Sequence, residues 1–211
     1  MKIAVGIAVA LTALALPLAA GAGPAVTHVT TKQSTTVFLW NDLTAKPTTN
    51  PPTVVGKASL VRSDSGISMT FRTTRLPAGE PITIWWIILE NCDANDPNWA
   101  KGMPCSAQYA SGQIASKKGT ASFSGRLPAG SRAGCFAPKF PCQGLKDPAT
   151  ATVLLLARTH GPKIPGALRA QLTTSEAVSP DPKTDLCPAM NKNPLQRRPF
   201  CQIQAALFAG T

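Results

Sequence analysis

The chain has 211 residues, 44% of them hydrophobic, with 20 prolines and a formal net charge of +11. That is enough for one domain with a real core. The 21 basic residues against 10 acidic ones attract polyanions, but only Lys117-Lys118 and Arg197-Arg198 are adjacent, a pattern of solvated surface rather than of a specific nucleic-acid interface.

Lys2 is a minimal positive head, Ile3 to Leu18 is apolar, and Ala20-Gly21-Ala22 fits a small-x-small cleavage site. This is the form of a secretory signal peptide over residues 1–22. The apolar part is shorter than the ~20 residues a spanning helix needs, and no later segment is long enough to cross a bilayer. The expectation is a secreted or periplasmic protein with no transmembrane segment after signal removal. Residues 23–52 then form an N-terminal arm and first strand, and residues 53–211 the main domain.

The six cysteines, at 92, 105, 135, 142, 187 and 201, all follow the leader, and an even count in an exported chain implies disulfides. Several connectivities are open to six cysteines. Their grouping around Pro-containing loops favours Cys92–Cys105, Cys135–Cys142 and Cys187–Cys201. Zinc would want CxxC-type pairs, which are missing.

In chain order, the first strand is expected at Thr35 to Trp40, followed by a Pro/Thr loop at Thr44 to Pro52. Val54 to Arg62 and Gly66 to Thr74 form a hairpin across a Ser-Asp-Ser-Gly turn. In the second of these strands Ile67, Met69, Phe71 and Thr73 alternate with Ser68, Thr70 and Arg72, which marks one wet face. Leu76-Pro77-Ala78-Gly79 leads into PITIWWIILENC, Pro81 to Cys92. There Ile82, Ile84, Trp86 and Ile88 face one way and Thr83, Trp85, Ile87 and Leu89 the other, so Ile82 to Glu90 reads as a strand buried on both sides. Asn91 to Met103 is a polar loop. Gln108 to Ser116 and Gly119 to Arg126 are expected as a second hairpin across Lys117-Lys118-Gly119. Its exit, Arg126-Leu127-Pro128-Ala129-Gly130, repeats Arg75-Leu76-Pro77-Ala78-Gly79. A cysteine loop then leads to Ala149–His160, a second central strand through its apolar Val153 to Leu156. Gly166 to Thr174 reads as a strand, Ser175 to Phe200 as a proline-rich loop, and Gln202 to Phe208 as the closing strand. Short strands at regular spacing, with no long amphipathic helix, predict an all-β chain. Its expected form is a single antiparallel β-sandwich, Greek-key-like and monomeric, with long disulfide-pinned loops.

Three stretches resemble the CHRD domain, the module repeated in chordin. They are Gly56-Lys57-Ala58-Ser59-Leu60, the alternating run from Gly66 to Gly79, and His160 to Leu172. The last resembles a closing pattern in which a strand-end histidine precedes a glycine-led strand; Gly166, Leu168, Arg169, Gln171 and Leu172 match, while Ala170 replaces a glycine. The resemblance covers about residues 54 to 172. The chain is also similar to exported bacterial proteins with a Thr-x-Trp-Trp strand and an Arg-x-His-Gly-Pro strand end. Both resemblances imply a β-sandwich and neither implies a settled activity. Trp85-Trp86 stand where the family has a histidine-containing segment, and the cysteine loops are additions.

Little catalytic chemistry is available. After the leader there are two histidines, His28 and His160, too few for a multi-histidine metal site, and no cofactor motif occurs. Arg158 and His160 share a strand face. A guanidinium there would lower the imidazole pKa and suit an anionic ligand better than general-base work. Asn91 and Trp99, in the Asn/Asp-rich loop, are further candidate ligand contacts. The acids of that loop suggest calcium, but Pro97 and the missing glycine favour plain turn chemistry. Trp85 and Trp86 are assigned to the core. The sequence therefore points to a non-enzymatic binding or structural module of the envelope or extracellular space, with an unidentified, polyanionic ligand. The alternative is a small extracellular hydrolase using His160.

Overall fold

The computed structural model describes residues 30–41, 46–89, 92, 94–95, 103–135, 142–173 and 201–210. The expected leader, most of the Asn91 to Met103 loop and the proline-rich segment around Cys187 lie outside the described residues.

The described residues form nine strands and one short helix. They are β1 (Thr31–Asn41), β2 (Lys46–Pro47), β3 (Val54–Ser63), β4 (Gly66–Thr73), β5 (Pro81–Ile88), β6 (Ser106–Ile114), β7 (Ala121–Pro128), β8 (Val153–Thr159), α1 (Leu168–Thr173) and β9 (Cys201–Phe208). Every pairing is antiparallel. The class is all-β, as expected, and the strands join into one sheet in the order β6-β5-β8-β9-β1-β3-β4-β7, with β2 added to β1. The two ends of that path meet. Gln113 Nε2 of β6 donates to the Ser122 carbonyl of β7 at 2.8 Å, and a Cβ on Gly125 of β7 would lie 3.0 Å from the Ala110 carbonyl oxygen of β6. The sheet is therefore nearly closed and barrel-like.

Closure covers the inner face of the sheet, and β5 and β8 are buried on the outer face as well. All eight residues of β5 and all seven of β8 are buried. Ile82, Ile84, Trp86 and Ile88 point inward and join Val37, Leu60, Phe71, Phe123, Leu155 and Phe208 in the main core. Trp85 and Ile87 point outward into a second cluster with Ala107, Leu154, Leu156 and Ala205, flanked by Phe38, Trp40 and Tyr109. In contrast, β4 and β7 keep a clean alternation, because only their inner side is covered.

Two expectations are corrected. Residues 116–120 do turn tightly, with Ser116 N donating to Thr120 O at 2.9 Å. However, β6 and β7 do not form a hairpin ladder: β6 pairs with β5 and β7 with β4, so consecutive strands supply the two edges of the sheet. The stretch read as a strand from Gly166 to Thr174 instead contains helix α1. Leu, Arg, Ala and Gln are good helix formers, and Gln171 fixes the turn. Its amide donates to the carbonyls of His160 (3.2 Å) and Pro162 (2.9 Å), and its oxygen accepts from Ile164 N (2.9 Å).

The repeated Leu-Pro-Ala-Gly exits fold alike. Leu76 and Leu127 are both buried in the core. Gly79 and Gly130 both take positive φ, 75° and 70°, the third position of a type II turn, and Glu80 N and Ser131 N bond back to the carbonyls of Pro77 and Pro128.

Cys92–Cys105 and Cys135–Cys142 are bonded as expected. Cys201 is also disulfide-bonded; its expected partner, Cys187, lies outside the described residues. The Cys135–Cys142 bridge has a position-specific role. Gln108 pairs with Cys135 and Ser106 with Cys142, so the two bonded cysteines cover the start of the β6 edge, where bare backbone groups would otherwise invite another strand. The sequence separations are 13 and 7. Chain entropy then predicts that replacing both Cys92 and Cys105 by alanine lowers stability by roughly 2–3 kcal/mol, and that the same change at Cys135 and Cys142 costs about 0.5 kcal/mol less. Urea midpoints of the two double variants check the order.

Candidate functional site

The Arg158–His160 strand end is a buried network on the outer side of β5 and β8. Thr83 of β5 lies opposite Arg158 of β8. Thr83 Oγ1 is 2.9 Å from His160 Nε2 and accepts the Trp85 indole N–H at 2.9 Å. The Arg158 guanidinium carbon stands 4.5 Å from the Trp85 ring centroid, a cation–π contact. Tyr109 of β6 meets Trp85 edge-on, centroids 6.0 Å apart. Helix α1 packs against β5 and β6 beside this group, and a Cβ on Gly112 of β6 would lie 2.2 Å from the Leu172 carbonyl oxygen. That close approach seats the end of the helix on the sheet.

His160 is 0% exposed and Arg158 only 6%. Burial, with Arg158 adding to it, pushes the imidazole down to about 4. The ring is therefore neutral at pH 7. One hydrogen bond joins the Thr83 hydroxyl to Nε2 of this neutral ring, and the ring's tautomer sets which of the two donates. Such a ring is held as a strand-end bracket, closed to a substrate. Of the predicted ligand residues, the structure brings Arg158 and His160 together with Thr83, Trp85 and Gln171; Asn91 and Trp99 lie outside the described residues. Thr83 escaped the sequence reading because it is 77 positions from His160 and only the β5–β8 register joins them.

A different site lies at one end of the β3-β4-β7 face. An open cleft of about 500 Å³ is lined by Val55, Gly56, Lys57, Arg72, Thr74 and Ser122, among others. Lys57 pairs with Arg72, and Arg72 with Ser122, across three neighbouring strands, with all three side chains exposed. A Cβ on Gly56 would come 2.1 Å from the Arg72 carbonyl oxygen, so the strands can meet there only because this position lacks a side chain. More positive charge gathers at the rim. Leu76 N donates to Gly119 O at 2.9 Å, which holds exposed Arg75 beside the turn carrying exposed Lys117 and Lys118. Arg75 has φ 58°, an uncommon conformation for a residue with a side chain.

Further along the same outer face stand Lys32 of β1 and Arg126 of β7, both exposed, with Ser34, Ser59, Thr70 and Ser124 between. The Ser59 and Thr70 hydroxyls lie 2.8 Å apart. None of β1, β3, β4 and β7 contains an aspartate or glutamate; Asp64 lies in the turn at the far end. Spread singly along the sequence, these bases form one positive field once the strands pair. No protein-family model matches the chain, and no curated protein matches it either.

Proposed function

We propose that this is an exported, disulfide-stabilised, non-enzymatic module that binds an anionic polymer of the cell envelope or extracellular space. The observation that carries this reading is the outer face of β1, β3, β4 and β7: Lys32, Lys57, Arg72 and Arg126 among hydroxyl side chains, with no acidic residue in those strands. Such a surface attracts a polyanion and spaces its contacts by strand geometry, with rows about 4.8 Å apart between strands. Export is supported by the leader-like residues 1–22 and by the disulfides. Among the described residues no helix is long and apolar enough to cross a membrane. What weighs against the hydrolase alternative is the burial of His160, whose imidazole a substrate would have to reach.

The test is retention on a heparin-like resin. The protein is expected to bind at low salt and elute as salt rises, because the contacts are exposed charges screened over ~10 Å at 0.1 M. Changing Lys32, Lys57, Arg72 and Arg126 together to glutamine should move elution to clearly lower salt. Elution unchanged by these substitutions would refute the reading.

A further inference from the structure

The positive face is not uniform. At its Lys32–Arg126 end the two bases sit on strands separated by β3 and β4. At the other end Lys57 and Arg72 are direct cross-strand partners at the mouth of the cleft. Side-chain β-carbons of such partners stand about 5 Å apart, close enough for one ligand group to touch both. Neither side chain has a hydrogen bond or ion pair among the described residues, so neither charge is compensated there.

The other polar groups of the cleft divide into used and available. Thr73 Oγ1 bonds Gln204 Oε1 at 2.6 Å. Thr74 Oγ1 bonds the Val55 carbonyl at 2.9 Å, and the Thr120 hydroxyl is 2.7 Å from that of Ser116. These groups build the walls. Ser122 on the third strand keeps its hydroxyl exposed next to Arg72. The arrangement offers a planar fork from Arg72, a point charge from Lys57 and a hydroxyl donor from Ser122, with Arg75, Lys117 and Lys118 adding positive potential at the rim. Several donors converging on one small anion suit a group with three or more oxygens. A carboxylate has only two, which the Arg72 fork alone could occupy.

Resting on the polymer-binding reading, we propose that the Lys57–Arg72–Ser122 cleft is a discrete site for a tetrahedral oxyanion, a phosphate or sulfate group carried by the ligand. The rest of the basic face then guides the chain on either side of that anchored group.

The experiment uses the protein as secreted by an exporting host, labelled with nitrogen-15. Inorganic phosphate and inorganic sulfate are titrated separately, against sodium acetate and sodium chloride at matched ionic strength. Saturable amide shifts at Gly56, Lys57, Thr73, Thr74 and Ser122 are expected with the tetrahedral anions, and the tighter of the two identifies the group. The Lys57→Gln/Arg72→Gln variant should bind at least about tenfold more weakly, while Lys163→Gln, an exposed lysine outside the β1, β3, β4 and β7 strands, should bind as the wild type does. A well-dispersed spectrum of each variant shows that its fold is kept, and Lys57→Arg, which keeps the charge, should retain most of the affinity. Equal shifts with acetate or chloride, or phosphate binding undiminished in Lys57→Gln/Arg72→Gln, would overturn the cleft. Retention on the resin without a saturable phosphate or sulfate site removes the cleft and leaves the polymer reading. Saturable binding without retention does the reverse.

Discussion

Lowering the pH from 7 to 4 is expected to remove about 3 kcal/mol of folding stability through one side chain, His160. In the unfolded chain its imidazole takes a proton near the ordinary value of 6.5. In the folded protein burial, reinforced by Arg158, holds protonation off until about 4. Between those values the unfolded state binds more protons than the folded one, so stability falls as the pH falls. Above about 6.5 the group contributes no pH dependence. Asp147 acts only at lower pH: hydrogen bonds from Thr150 hold its carboxyl below the usual carboxylate range, so its share is lost as that carboxylate protonates. Urea midpoints at pH 7, 5.5 and 4.5 should decline in order. His160→Gln should be less stable at pH 7 and much flatter across this window. A wild-type midpoint constant from pH 7 to 4.5 would exclude the buried neutral ring.

The second large effect is at Trp86. Its side chain is fully buried inside the nearly closed sheet, so Trp86→Ala should cost roughly 3–5 kcal/mol, because strands locked on both sides relax little around the cavity. The chemistry of the ring allows a sharper comparison. Trp86 Nε1 has no hydrogen-bond partner among the described residues, whereas the Trp85 indole N–H donates to Thr83 and its ring carries Arg158. Phenylalanine at 86 gives up only ring volume. At 85 it also removes the N–H bonded to the Thr83 hydroxyl that contacts His160. Trp85→Phe should therefore flatten the pH dependence of stability, while Trp86→Phe leaves its slope unchanged. Matched slopes in the two variants would sever Trp85 from the histidine network.

Strand character was readable wherever local chemistry decides it. The apolar faces of PITIWWII and VLLL could be buried only between two layers, and both strands are. The Leu-Pro-Ala-Gly repeat announced two matching turns, since only glycine takes the left-handed third position at no steric cost. Pairing partners were not readable. The Lys117-Lys118-Gly119 turn was legible, but which strand each arm would choose was not, because that depends on strands far away in the chain. At α1, an alternating apolar pattern over six residues cannot separate the two periods, and helix propensity was the better guide. The Arg158–His160 spacing gave a shared face but not its burial, which Thr83 and α1 supply from elsewhere. The basic cleft was hidden for a similar reason: Lys57, Arg72 and Lys117 are neighbours across strands and turns, not in sequence.

The place of β9 in the sheet has a consequence for the order of assembly. β9 follows every other described strand in sequence, yet it lies between β8 and β1, pairing Phe38 with Ala205 and Leu39 with Gln204. Without it, β6-β5-β8 and β1-β3-β4-β7 are separate sheets with no ladder joining them. A chain emerging N-terminus first must hold both halves, including the doubly apolar β5 and β8, until β9 arrives. Exposed strands of that kind aggregate readily, and pairings over such sequence distances form slowly. Deleting residues 201–211 should therefore yield insoluble chain rather than a slightly weakened domain, and the fraction recovered in the soluble supernatant measures it.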